Sequence, residues 1–122
     1  MSVPILKQGE TLIASVVAAL SDEELVAFRD DLAERIGKVR AKGVIIDVTA
    51  LDVLDSFATR TLRGIAHTAR LRGAQTVIVG IQPEVAFTMV QLGLSLEGVS
   101  TALDLEQGIA ALDAIKRQRR HG

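Results

Sequence analysis

Val44-Ile45-Ile46-Asp47-Val48, then Leu51-Asp52-Val53-Leu54-Asp55, then Ser56-Phe57-Ala58 is the stretch whose reading decides the fold. The first run is apolar without alternation, which is how a strand buried on both faces reads. A short loop then delivers Ser56 to the start of a helix spanning residues 56–72. Ala58, Leu62, Ile65, Ala66 and Ala69 form the apolar face of that helix. Arg60, Arg63 and Arg70 fall mostly on other faces, and Gly73 ends it. A buried strand passing through a short loop into an amphipathic helix is the repeating unit of a parallel sheet.

Upstream of this unit, Val3 to Lys7 and Glu10 to Val16 read as two short strands joined by a turn at Gln8-Gly9. Pro4 cannot donate to a ladder, so the first strand belongs at an edge. That edge is either a site of contact with another subunit or an edge protected by Pro4 and Lys7. Ser21, with Glu24 three residues on, is a capping box opening a helix. Leu25, Phe28, Leu32, Ile36 and Val39 recur at helical spacing as its buried stripe. Acids crowd its first turn, Lys38, Arg40 and Lys42 its last, and Gly43 is the stop signal.

Downstream, Thr76 to Val79 is a second buried strand. Pro83 sits at the first position of a helix whose stripe is Val85, Met89 and Leu92, with Gly93 ending it. Val99 to Ala102 is a weak last strand. Asp104 caps a final helix, with Gln107 three residues on, and Leu105, Ile109, Leu112 and Ile115 form its buried face. The order is ββαβαβαβα: an α/β single domain with a mixed, mostly parallel sheet and right-handed crossovers. The domain is expected over residues 1–116, with a fraying basic tail at 117–122.

Composition narrows the function classes. The chain has 122 residues, 48% of them hydrophobic, which suffices for a core built from Val, Ile, Leu and Ala. A net charge of −1 offers no overall attraction to nucleic acid or to an anionic membrane. The basic run Lys116-Arg117-Gln118-Arg119-Arg120 has no interleaved aromatics and ends a helix, where cations are favoured anyway. With no cysteine, disulfides, thiolate metal sites and a cysteine nucleophile are excluded. Met1-Ser2-Val3-Pro4 does not open a signal peptide, and no apolar run approaches membrane-spanning length, so the expected location is the cytoplasm.

No enzyme motif emerges. His67 and His121 are far apart and have no third ligand at metal-site spacing. No GxSxG, Walker or GxGxxG pattern is present, so neither a hydrolase elbow nor a nucleotide cofactor is implied. Asp47, Asp52 and Asp55 cluster around one loop, but Mg²⁺ usually needs substrate phosphates beside such carboxylates. Ser56 remains. A hydroxyl at a helix start suits a cap, and it also suits a phosphate. Its place after a buried parallel strand puts it where α/β proteins carry their sites. Asp55 makes the loop acidic, and Thr59 leaves a capping box incomplete. A phosphate there would add about −1.5 to −2 charge and repel a partner that brings carboxylates. On these grounds alone, cap and phosphate acceptor both stand.

Val44-Ile45-Ile46-Asp47-Val48 followed by Leu51-Asp52-Val53-Leu54-Asp55-Ser56 resembles the STAS domain of the anti-sigma-factor antagonists. Three further segments resemble the RsbS-type stressosome branch of that family: Asp55-Ser56-Phe57-Ala58, Gly80-Ile81-Gln82-Pro83-Glu84-Val85-Ala86, and Leu96 through Leu105. The resemblance covers nearly the whole chain. It implies a non-enzymatic scaffold without cofactor that co-assembles with RsbR-type paralogues and holds an RsbT-type serine/threonine kinase. The kinase would phosphorylate Ser56 and be released, and a serine phosphatase would reset the site. Asp55 would shape the kinase-facing loop and Asp47 would support it. Phe57 and Ala58 stand where many simple antagonists have serine and glycine, which favours the stressosome branch. The competing expectations are a free antagonist that binds an anti-sigma kinase when unphosphorylated, and a standalone ligand or nucleotide sensor.

Overall fold

The structure is a computed structural model that describes residues 3–121, with the side chains described up to residue 118. Met1-Ser2, Gly122 and the side chains of Arg119, Arg120 and His121 lie outside the described residues. In chain order the elements are β1 (Ile5–Gln8), β2 (Thr11–Ser15), α1 (Asp22–Val39), β3 (Gly43–Asp47), α2 (Ser56–Leu71), β4 (Gln75–Val79), α3 (Pro83–Gln91), β5 (Ser100–Ala102) and α4 (Leu105–His121).

The sheet has the spatial order β1-β2-β3-β4-β5. β1 runs antiparallel to β2, and every other pair is parallel. The hairpin register pairs Gln8 with Thr11, so the turn is Gly9-Glu10 rather than Gln8-Gly9. Gly9 takes a positive φ of 61°, which a side chain would resist. Pro4 precedes β1, and its carbonyl accepts from Ser15 N–H at 3.1 Å.

Because the parallel strands advance steadily in one direction, each right-handed crossover falls on the same side of the sheet. Leu12, Ala14, Val44, Ile46 and Ile78 face that side and pack with Phe28 and Leu32 of α1, Leu62 and Ile65 of α2, and Val85 and Met89 of α3. Their alternates Ile13, Ile45, Val77 and Val79 face the other side, where Leu112 of α4 meets them. Both faces are therefore covered, and β3 is buried from Gly43 to Ile46, with Asp47 at its end half-buried, as an unalternating strand requires.

Helix ends carry most of the corrections. The Ser21 capping box is formed, with Ser21 Oγ accepting from Glu24 N–H and Glu24 Oε1 accepting from Ser21 N–H. α1 stops at Val39, however, and Arg40 takes the left-handed conformation with φ 52°. Lys38 alone of the three expected cations is in the last turn, and Val39 is exposed. Gly43 opens β3 instead of stopping a helix. A Cβ there would sit 2.9 Å from Leu112 Cδ1, so its smallness serves the approach of α4.

Leu92 terminates α3 and is 66% exposed, so the buried stripe there is Val85 and Met89 only. Leu105 is likewise 38% exposed. α4 meets the sheet through Gly108, where a Cβ would come within 2.6 Å of Val79 Cγ1, and through Leu112. α4 runs from Leu105 to His121.

Candidate functional site

Ser56 lies at the carboxyl end of the parallel strands, at the end of the loop that follows β3. The loop is held at several points. Val48 N–H donates to Val79 O at 3.0 Å, which ties its first residue to β4. Asp47 Oδ1 accepts from Thr49 N–H at 2.9 Å and from Thr49 Oγ1 at 2.6 Å, a local turn that reverses the chain. Gln82 Nε2 donates to Thr49 O at 2.7 Å and links this loop to the one before α3. Gly80 makes room for that link. It has a positive φ of 82°, and a Cβ would sit 3.0 Å from Thr49 Cα. Leu51 and Leu54 are buried as anchors, while Val53 between them is exposed.

Leu54 is followed at once by the helix start, and this decides which residue caps. Asp55 is the N-cap: its Oδ1 accepts from Ala58 N–H at 2.8 Å. Ser56 is therefore the first helical residue, not a cap. Its side chain is exposed, and its hydroxyl has no hydrogen-bond partner among the described residues. The sequence left cap and phosphate acceptor as alternatives for Ser56, and the geometry removes the first. Asp55 and Ser56 are both good N-cap residues, so type alone could not distinguish them. The burial of Leu54 fixes where the chain can enter the helix.

Thr59, the other hydroxyl of the first turn, is only 1% exposed, and its Oγ1 has no partner among the described residues. It is closed to any enzyme acting on the folded surface. Thr61 is satisfied through the Phe57 carbonyl at 2.8 Å. Further along α2, Arg63 Nη1 donates to Ser95 O at 3.0 Å and Arg70 Nη2 to Gly98 O, tying the segment between α3 and β5 to this helix. Sequence reading placed these arginines only as off the apolar face. Their job as fasteners depends on a segment about thirty residues away.

Beside the loop is an apolar hollow of about 100 Å³ lined by Val16, Leu20, Phe28, Leu54, Ala58 and Leu62, among others. Pockets for drug-sized ligands usually start near about 300 Å³. No group of three or more His, Cys, Asp or Glu side chains that could hold a metal occurs among the described residues. Asp47 and Asp55 are engaged with backbone N–H groups on opposite ends of the loop. No described helix is long and apolar enough to cross a membrane.

The arrangement can do one thing readily. It presents a free, nucleophilic-class hydroxyl on a braced surface, at a helix start whose unpaired N–H groups tolerate negative charge.

Comparison with known proteins places this geometry in a family. The model of the STAS domain family matches residues 2–108. A serine-to-glutamate variant of RsbS from Moorella thermoacetica has 38% sequence identity, a TM-score of 0.81, and coverage of 94% of this chain and 97% of its own. A chain from a structure of the stressosome, described as a signal integration and transduction hub, also has 38% identity, with a TM-score of 0.74 over 93% of this chain and 99% of that one. Among curated proteins, the RsbT co-antagonist protein RsbRA of Bacillus subtilis is 30% identical over 97% of this chain. This chain spans 44% of that relative's length. The anti-sigma-factor antagonist SpoIIAA, at 17% identity and a TM-score of 0.67, shares the fold. The chain belongs to the STAS domain family.

Proposed function

We propose that this protein is a non-enzymatic stressosome scaffold subunit of RsbS type, which holds a switch serine/threonine kinase and releases it once Ser56 is phosphorylated. The observation that carries the proposal is the exposed Ser56 hydroxyl, without a partner among the described residues, at the first position of α2, after a loop braced at both ends. Near-complete coverage of an RsbS chain at 38% identity supports the branch. The match to an RsbT co-antagonist supports co-assembly with RsbR-type paralogues and an RsbT-type kinase as partner. Self-association within that assembly and resetting by a serine phosphatase complete the cycle.

In the proposed step, Ser56 Oγ attacks the γ-phosphorus of ATP and the bond to the β-phosphate oxygen breaks. ADP leaves, and the hydroxyl proton passes to a base of the kinase. Asp47 and Asp55 hold the loop so that Ser56 is offered in one orientation, and Asp55 contributes to the surface the kinase meets.

Incubation of the purified chain with an RsbT-type kinase and ATP, followed by peptide mapping, tests the site. The parent should carry one phosphate on Ser56, and Ser56→Ala should carry none. Equal labelling of the two proteins would remove Ser56 from the mechanism.

A further inference from the structure

We propose that Arg60 is the intramolecular counter-ion of a phosphoryl group on Ser56. The inference rests on the reading of Ser56 as the phosphate acceptor and adds the residue that receives the modification. Ser56 and Arg60 are four residues apart on α2, so their side chains are neighbours on one face of the helix. Both are exposed. An anion placed four residues before a cation is the favourable orientation for such a pair.

The three arginines of α2 are not equivalent. Arg63 and Arg70 are committed to the Ser95 and Gly98 carbonyls. Arg60 has no hydrogen bond or ion pair among the described residues. α2 carries no acidic residue at all, so nothing on the helix competes for that guanidinium. The nearest capping carboxylate, Asp55, is already bound to Ala58 N–H. Before modification, Arg60 is a cation held in reserve one turn from the acceptor.

A phosphoryl group on Ser56 would sit beside the Asp55 carboxylate, and that repulsion disfavours its dianionic form. Arg60 offsets the repulsion with a charge-assisted hydrogen bond. Modification therefore does two things at once. It firms the first turn of α2, and it replaces an exposed, unpaired cation with an anionic pair. A partner that had placed a carboxylate against Arg60 loses its contact and meets a like charge instead.

The second proton of the phosphate reports this pairing directly. Phosphoserine is installed at position 56 during synthesis of the full chain, so the measurement does not depend on which residue a kinase selects. A ³¹P NMR titration is then run on the parent background, on Arg60→Gln, on Arg60→Lys and on Lys7→Gln. Lys7 is on β1, in a register pair with Leu12 toward the opposite end of the sheet.

Arg60→Gln should raise the titration midpoint by about 0.3 pH unit, roughly a twofold gain in proton affinity, as loss of a favourable helix pair requires. Arg60→Lys should recover most of the difference, and Lys7→Gln should leave the midpoint in place. Identical midpoints for the parent and Arg60→Gln would overturn the pairing. So would an equal rise in Lys7→Gln, which would mark a general field rather than a contact. Failure of a kinase to label Ser56 is a separate result that bears on the scaffold proposal and leaves this titration unchanged.

Discussion

Asp55 binds the Ala58 amide, while the Ser56 hydroxyl next to it has no partner among the described residues, so the two side chains should respond differently to truncation. Asp55→Ala removes a cap and should cost about 1 kcal/mol. Ser56→Ala removes no contact and should change stability by less than about 0.5 kcal/mol. Urea unfolding of the two variants measures both, and a larger loss in Ser56→Ala would contradict the assignment of the cap. The contrast matters for function, because a residue free of structural duty can be modified without unfolding its helix. In the sequence, Asp55-Ser56 is ambiguous because each residue has an apolar or β-branched position three places on instead of the acid or amide of a full capping box. The box is incomplete from either start, at Ala58 and at Thr59, so it does not separate the two. Thr59 itself could be placed on the first turn from sequence, but its complete burial depends on where α2 docks against the sheet.

At the scale of elements, periodicity identified what local rules govern and missed what packing governs. Leu25, Phe28, Leu32 and Ile36 are buried as their spacing requires, and the α1 capping box is formed on both sides. That box carries a pH signature. The Ser21 backbone N–H, first among its causes, holds the Glu24 carboxyl down from 4.5 to about 2. A carboxyl lowered on folding contributes stability that is complete above its unfolded value and is lost as pH falls toward its folded one. The contribution from Glu24 should therefore be intact above about pH 4.5 and disappear between there and about pH 2. Thermal melts should show a shallower acid limb in Glu24→Gln than in the parent over that window, and parallel limbs would refute the linkage. By contrast, Arg40 ends α1 in a conformation usually left to glycine, so the signal at Gly43 misled. Leu92 and Leu105 fit their stripes by spacing but are exposed, because a helix stripe says nothing about how deeply a given turn is docked.

For the whole molecule, ββαβαβαβα and a mostly parallel sheet were legible because strand and helix periods alternate cleanly and the connections are short. The placement of α4 on the face opposite the other three helices was not. It follows from the steady strand order, which puts all three crossovers on one side and leaves the last helix to cover the other. The same topology gathers the loops after β3 and β4 at one end of the sheet, where Gln82 braces the backbone of Thr49. On the proposal that Ser56 is phosphorylated, the output of the domain is a change of surface charge at the exposed start of α2, beside that braced loop.

That view is tested most directly by following an RsbT-type kinase on a preformed assembly of this chain with an RsbR-type partner, by size-exclusion chromatography before and after ATP addition. With the parent chain, the kinase should co-elute with the large assembly without ATP and leave it as Ser56 becomes phosphorylated. With Ser56→Ala, it should remain bound in both conditions. Release from the Ser56→Ala assembly, or retention on a parent assembly fully phosphorylated at Ser56, would contradict the proposed switch.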